Sequence, residues 1–203
     1  DEYIAKFGTD SLRMYLMFLG PFNAGGDFRD TGMVGMYKFL ARIWRFCQEK
    51  FKSPAFGSGY STRPIRPCSK PEPTAGKQNS KLKTDEFLSK EEAYWVNKTI
   101  KKVSEDISKF KYNTAIAAIM ELVNFFSSQA QVSLKAIKLL ILIMAPFAPY
   151  LSEELWSQFL TMKQSNNETI KSLSVHQQPW PVYDSKLVRQ ESITIVVQVN
   201  GKV

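Results

Sequence analysis

Histidine and cysteine are nearly missing from this chain, whose 203 residues hold 1 His, His176, and 2 Cys, Cys47 and Cys68. Two cysteines cannot build a disulfide scaffold or a four-cysteine zinc site. One histidine leaves no pair for a helical metal motif and argues against a Ser-His-Asp triad. No Gly-rich loop leads into Lys-Ser/Thr, and there is no nucleophile elbow, which removes the commonest phosphate-cradling and hydrolase signatures. Long apolar runs are lacking too: the longest stretch, residues 139–147, is far short of the roughly 20 residues of a membrane span. Adjacent carboxylates (Glu91-Glu92, Glu105-Asp106, Glu153-Glu154) diverge on a helix, so they read as solvated faces or caps rather than an acid/base pair. The expectation is a soluble, intracellular globular chain with no catalytic residue, no metal ligand and no cofactor of its own.

What is present supports a folded domain. Hydrophobic residues make up 44% and aromatics 13%, too rich for disorder, and the length suits one domain with a core. The 27 Lys+Arg against 19 Asp+Glu give a net charge of +8. Most of that excess falls in residues 53–83, with 6 basic and 1 acidic side chains among 5 prolines and 3 glycines. Such a segment reads as a solvated loop; the sharper alternative is a basic arm that touches phosphate.

Hydrophobic spacing predicts helices along most of the chain. Asp1 caps a short one ending at Gly8, and Thr9 or Asp10 caps a second, over residues 11–19. Asp30 or Thr31 opens a long helix to Phe51, with Val34, Tyr37, Ala41, Trp44 and Phe51 as its apolar face. Lys38, Arg42, Arg45 and Glu49 form a neighbouring polar stripe at the same spacing. Ser89 to Glu92 is a capping box, opening a helix with Val96, Ile100, Val103, Ile107 and Phe110 facing inward. Asn113 caps the next, where Ala115, Ala117 and Ala118 allow close helix approach. Residues 133–144 form the most apolar helix, and Ser152 opens the last. Residues 175–183 are extended, with Trp180 anchoring them. Residues 192–199 read as a strand and Asn200-Gly201 as a hairpin turn, so the chain is expected to continue into a further domain. The fold class is mainly α: an antiparallel helical bundle with a short terminal β-strand.

Three runs carry a resemblance to bacterial-type leucyl-tRNA synthetases of class I. Asp1-Glu2-Tyr3-Ile4-Ala5-Lys6-Phe7-Gly8-Thr9-Asp10-Ser11-Leu12-Arg13 resembles the stretch just after the KMSKS loop, with Phe7 and Thr9 departing from the usual Tyr-Gly-Ala-Asp. Gly35 to Arg45 resembles the helix that begins the anticodon-binding-type bundle. Tyr112 to Leu122, Pro179-Trp180-Pro181 and Val197 to Val203 are similar to the leucine enzymes in particular.

The resemblance implies a stem-contact segment over residues 1–30 and an anticodon-binding-type helical bundle over 31–160 with a Pro-rich basic insertion at 53–83. It further implies an extended return over 161–191 and the start of a C-terminal domain at 192–203. The implied parent is a leucine–tRNA ligase using ATP and Mg²⁺, monomeric and cytoplasmic or in an organelle matrix, with its catalytic and editing domains upstream. Its implied partner here is leucine tRNA, with Lys38 and Arg42 matching the family's tRNA-facing positions; Arg45 joins them by sharing their stripe, and Lys98, Lys101 and Lys102 form a second cluster whose plainer reading is a solvated face. Trp44, Trp95 and Trp156 are expected to pack in the core rather than stack on bases, and Asp10 to pair locally with Arg13. The alternatives are the equivalent domain of an isoleucine or valine enzyme, or a helical protein–protein interaction module.

Overall fold

The computed structural model describes residues 2–21, 24–51, 87–164 and 174–188. Among them seven α-helices follow in order: α1 (Glu2–Phe7), α2 (Thr9–Phe18), α3 (Asp30–Phe51), α4 (Lys90–Ser108), α5 (Tyr112–Ser128), α6 (Leu134–Met144) and α7 (Pro149–Gln164). A 3₁₀ turn, Val175–Gln177, begins the described part of the return segment. Among the described residues there is no strand, and the strand expected at 192–199, the insertion at 53–83 and Cys68 lie outside them.

Gly8 separates α1 from α2 because its φ of 82° lies where a side chain would be strained. Its N–H still bonds Ile4 O at 2.9 Å. Gly8 also occupies the N-cap of α2, with no side-chain cap bond, so neither Thr9 nor Asp10 caps that helix. Asp10 instead reaches across the molecule to α7. That helix starts at Pro149, which has no N–H to offer, and the next two donors meet the Asp10 carboxylate. Leu151 N–H donates at 2.7 Å and Tyr150 N–H at 3.4 Å. Ser152 therefore sits inside α7, its N–H bonding Ala148 O, and does not open it. Arg13, expected to pair with Asp10, donates to Pro146 O at 3.5 Å, so two side chains of α2 hold the α6–α7 corner.

Burial pushes the Asp10 carboxyl above its ordinary value; the two N–H bonds, Arg13 and His176 pull the other way without cancelling it. A raised carboxyl stabilises the fold most below the unfolded value of about 3.9, and that contribution fades as pH rises through the folded value. The stability of the native chain relative to Asp10→Asn should fall across that window and then level off. Parallel urea titrations from pH 4 to 8 check this, and a constant difference would contradict it.

The core runs through α3, α5, α6 and α7. On α3 the buried stripe is Met33, Met36, Phe39, Leu40, Ile43, Phe46 and Cys47, not the expected Val34, Tyr37, Ala41 and Trp44, which form a flank. Both sets repeat every three or four residues; packing of α2 and α7 against α3 selects between them. Cys47 is fully buried, and burial pushes its thiol up to about 12, so it behaves as a small hydrophobe. In α6, 8 of 11 residues are buried, as its sequence predicts.

Helices α4 and α5 make the most extensive pair, and Ala115 and Ala118 of α5 are buried. Asn113 does not cap α5, whose N-cap is Lys111 without a side-chain bond. Thr114 fixes the start instead, donating from Oγ1 to the buried Asp106 at 2.6 Å. Phe110 was expected on the inner face of α4; it lies past the helix end at φ 56° and is 61% exposed. Ser89 and Glu92 form the predicted capping box, and Ser133 caps α6 through Ala136 N–H. Glu92 and Asp106 are both buried, so these two carboxylates are internal ties rather than solvated charges.

The return segment is stapled down at three places. Glu153 accepts from Ser174 Oγ at 2.7 Å and from Val175 N–H at 3.0 Å. Trp180 Nε1 donates to Ser104 Oγ at 2.8 Å, and Asp184 N–H to Asn97 Oδ1 at 2.7 Å. Trp180 thus anchors the segment onto α4, as the sequence suggests.

Candidate nucleic-acid interface

The pole of α3 opposite its buried stripe carries Lys38, Arg42, Arg45 and Glu49, all exposed. No carboxylate among the described residues forms an ion pair with any of the three cations. Arg42 lies with its guanidinium 5.5 Å from the Phe39 ring centroid, which orients the group while leaving its outer N–H donors free. Arg45 Nε donates to Ala41 O at 3.2 Å, laying that side chain along the helix.

Arg42 and Arg45 open onto a cleft of about 490 Å³ between α3 and the end of α5. Lys50 and Glu49 line the same cleft, with Phe46, Phe126 and Ser127 among the other walls. The two rings stack at 6.2 Å and give the cations a rigid floor. Lys50 donates to Ala130 O at 3.3 Å and sits 5.6 Å from the Phe46 ring. Sequence reading missed Lys50, because its place seven residues after Ile43 and three after Cys47 puts it on the apolar side of the helix, away from the basic stripe.

Lys98, Lys101 and Lys102 line a different groove, about 510 Å³, between α4 and α5, which also contains Glu105 and Glu121. Here the charges are engaged. Lys98 Nζ stands 4.5 Å from the Trp95 ring, and Lys101 Nζ 6.0 Å from that of Tyr183. Lys102 pairs with buried Asp106 at 3.0 Å. The six cations named from the sequence are therefore divided: Arg42 and Arg45 share one cleft, the three α4 lysines share another, and Lys38 lines neither.

Trp156 is buried, while Trp44 and Trp95 are half-buried against the core; Trp95 stacks on Phe125 at 5.3 Å. His176 lies on the surface, its Nε2 4.0 Å from Glu153. Among the described residues, no three His, Cys, Asp or Glu side chains converge on a metal-sized site, and no helix is long and apolar enough to cross a membrane.

Comparison with known proteins places this bundle. Over its full length the chain is 34% identical to the leucine–tRNA ligase of Dehalococcoides mccartyi, covering 21% of that protein. It is 33% identical to leucine–tRNA ligase 1 of Rhizobium johnstonii, covering 20% of it. A solved ternary complex of LeuRS from Agrobacterium radiobacter K84 with tRNA and LeuAMS matches 99% of this chain and 23% of that one, at 29% identity and a TM-score of 0.68. The chain thus spans about a fifth of the length of the curated relatives it matches. Residues 95–203 match the family described as the anticodon-binding domain of tRNA ligase. That segment is more than half of the 203 residues, and on this ground the chain belongs to the anticodon-binding domain family of tRNA ligases.

Proposed function

We propose that this chain is the tRNA-docking part of a leucine–tRNA ligase, and that α3 is the helix it lays against the tRNA body. The observation that carries the reading is the row of exposed cations Lys38, Arg42 and Arg45, without an ion-pair partner among the described residues, on a bundle similar to leucine enzymes from end to end. Seven residues of helix span about 10 Å, enough to follow two or three phosphates of one strand at roughly 3–4 Å of axis per charge. Arg42 offers a planar fork to a phosphate, and Lys38 a point charge. Contacts of this kind read backbone and shape, not base sequence, so any preference of the bundle for one tRNA comes from the shape of its body. Residues 1–30 form the stem-contact segment, and Asp10 and Arg13 tie it to the bundle. The parent, a monomer of a bacterial-type cytoplasm, attaches leucine to the tRNA with ATP and Mg²⁺ through domains upstream of this one. Lys98, Lys101 and Lys102 are a secondary surface, already occupied by aromatic and acidic neighbours.

The test is a titration of the chain with leucine tRNA and a non-cognate tRNA at two salt concentrations. The expected result is binding that weakens with a log–log slope of roughly −0.7 to −0.9 per phosphate contacted, with preference for the leucine tRNA. A salt-insensitive interaction, or none at low salt, would count against the reading.

A further inference from the structure

Beside the basic row of α3, on the flank toward α7, lies a concavity of about 350 Å³. Its walls include Phe7 from α1, Asp10 from α2, Tyr37 and Leu40 from α3, and Tyr150 from the first turn of α7. Tyr37 is 47% exposed and Tyr150 70% exposed, although both are large aromatics at the rim of an apolar hollow. The Phe7 and Tyr37 rings stand edge to face, with centroids 6.0 Å apart and planes at 61°, which holds the Tyr37 ring in place. The Asp10 oxygens accept the Tyr150 and Leu151 N–H groups. This fixes the backbone that presents the Tyr150 ring and engages both oxygens of the carboxylate.

The charge around the hollow decides what fits. Lys38 and Arg42 follow Tyr37 and Ala41 by one residue, so they stand about 100° further round the helix, and neither has an ion-pair partner among the described residues. Lys6, on α1, lies with Nζ 5.2 Å from the Phe7 ring. An aromatic seat flanked by cations suits a group with a flat π-face carried on an anionic backbone. An apolar peptide would match the hollow but not its rim.

We propose that this hollow seats one unstacked nucleobase of the bound RNA, stacked on Tyr37 and bordered by Tyr150, while the phosphate next to it meets Lys38. This deepens the reading above and rests on it for the identity of the RNA; the stacking itself does not depend on which RNA supplies the base. Aromatic platforms that take any base, combined with a cationic track for the backbone, are the general solution for unpaired nucleic acid.

Fluorescence anisotropy with three probes at low salt tests this: a labelled 12-nucleotide single-stranded RNA, the same sequence as a blunt duplex, and leucine tRNA. Tyr37→Ala should weaken single-strand and tRNA binding by about 5- to 100-fold, leave the duplex unchanged, and leave the salt slope unchanged. Tyr37→Trp should restore binding, and Tyr150→Ala should give a smaller loss of the same pattern. Lys38→Ala should weaken all three probes and flatten the salt slope. Melting curves show whether these exposed substitutions leave the fold intact. Equal loss on single strand and duplex, or no loss on either, would overturn the seat, as would failure of the native chain to bind the single strand. Native tRNA binding that ignores Tyr37→Ala removes the seat alone. Tyr37-dependent single-strand binding without leucine-tRNA binding keeps the seat and removes the leucine-tRNA reading.

Discussion

Glu92→Ala should lower stability by roughly 2–4 kcal/mol, the loss of two hydrogen bonds to a charged acceptor at about 1.5–3 kcal/mol each, less some relaxation. The Glu92 carboxylate is buried and serves two helix starts at once. One oxygen accepts Ser89 N–H at 2.8 Å, closing the capping box of α4, and the other accepts Ser133 N–H at 2.7 Å, at the N-cap of α6. Both helix dipoles favour a negative charge at that point. Truncation leaves both N–H groups without an acceptor in a half-buried setting. Glu92→Gln keeps an acceptor and should lose less. A urea midpoint that drops with unchanged m-value is the expected signature; an unmoved midpoint would mean that the tie between α4 and α6 carries no net stability.

The second large effect is on binding. Replacing both Lys38 and Arg42 by alanine should weaken leucine-tRNA binding by roughly 1–3 kcal/mol, about 5- to 150-fold, as expected for charge-assisted contacts to phosphate. The bundle should remain folded, because both side chains are exposed. Arg42 does cover Phe39, so a small stability loss is expected from that residue. The salt slope should become shallower by about one to two units, one per lost phosphate contact. Full affinity in the double variant would take α3 out of the interface.

Much of the bundle was legible in the sequence because its signals are local. Ser89 and Glu92 stand three apart, so their mutual bonds depend only on the first turn of α4. Asp30 to Phe51, the near-continuous apolar run of α6, and Gly8 as a stop are readable in the same way. The polar stripe Lys38, Arg42 and Arg45 was found by spacing alone and is exposed as expected. The resemblance to leucine enzymes was also visible in short runs, and the comparisons extend it over the full chain.

Other features could be decided only by the tertiary structure. Asp10 had the look of a cap for its own helix, yet its partners are 140 and 141 residues away; no local pattern encodes that distance. The sequence of α3 contains two stripes of similar periodicity, and which one is buried depends on where α2 and α7 pack. Glu105 and Asp106 are neighbours of like charge, but Asp106 alone is buried, because Lys102 and Thr114 converge on it. The division of the basic residues between two clefts is likewise a matter of helix placement. The sequence by itself determined the helices, the Ser89–Glu92 capping box and the exposed cations, since these follow from neighbours within one or two turns. Only the tertiary structure decided which face is buried, which acid ties which helix, and which cations act together, since each depends on groups brought close by packing rather than by chain order.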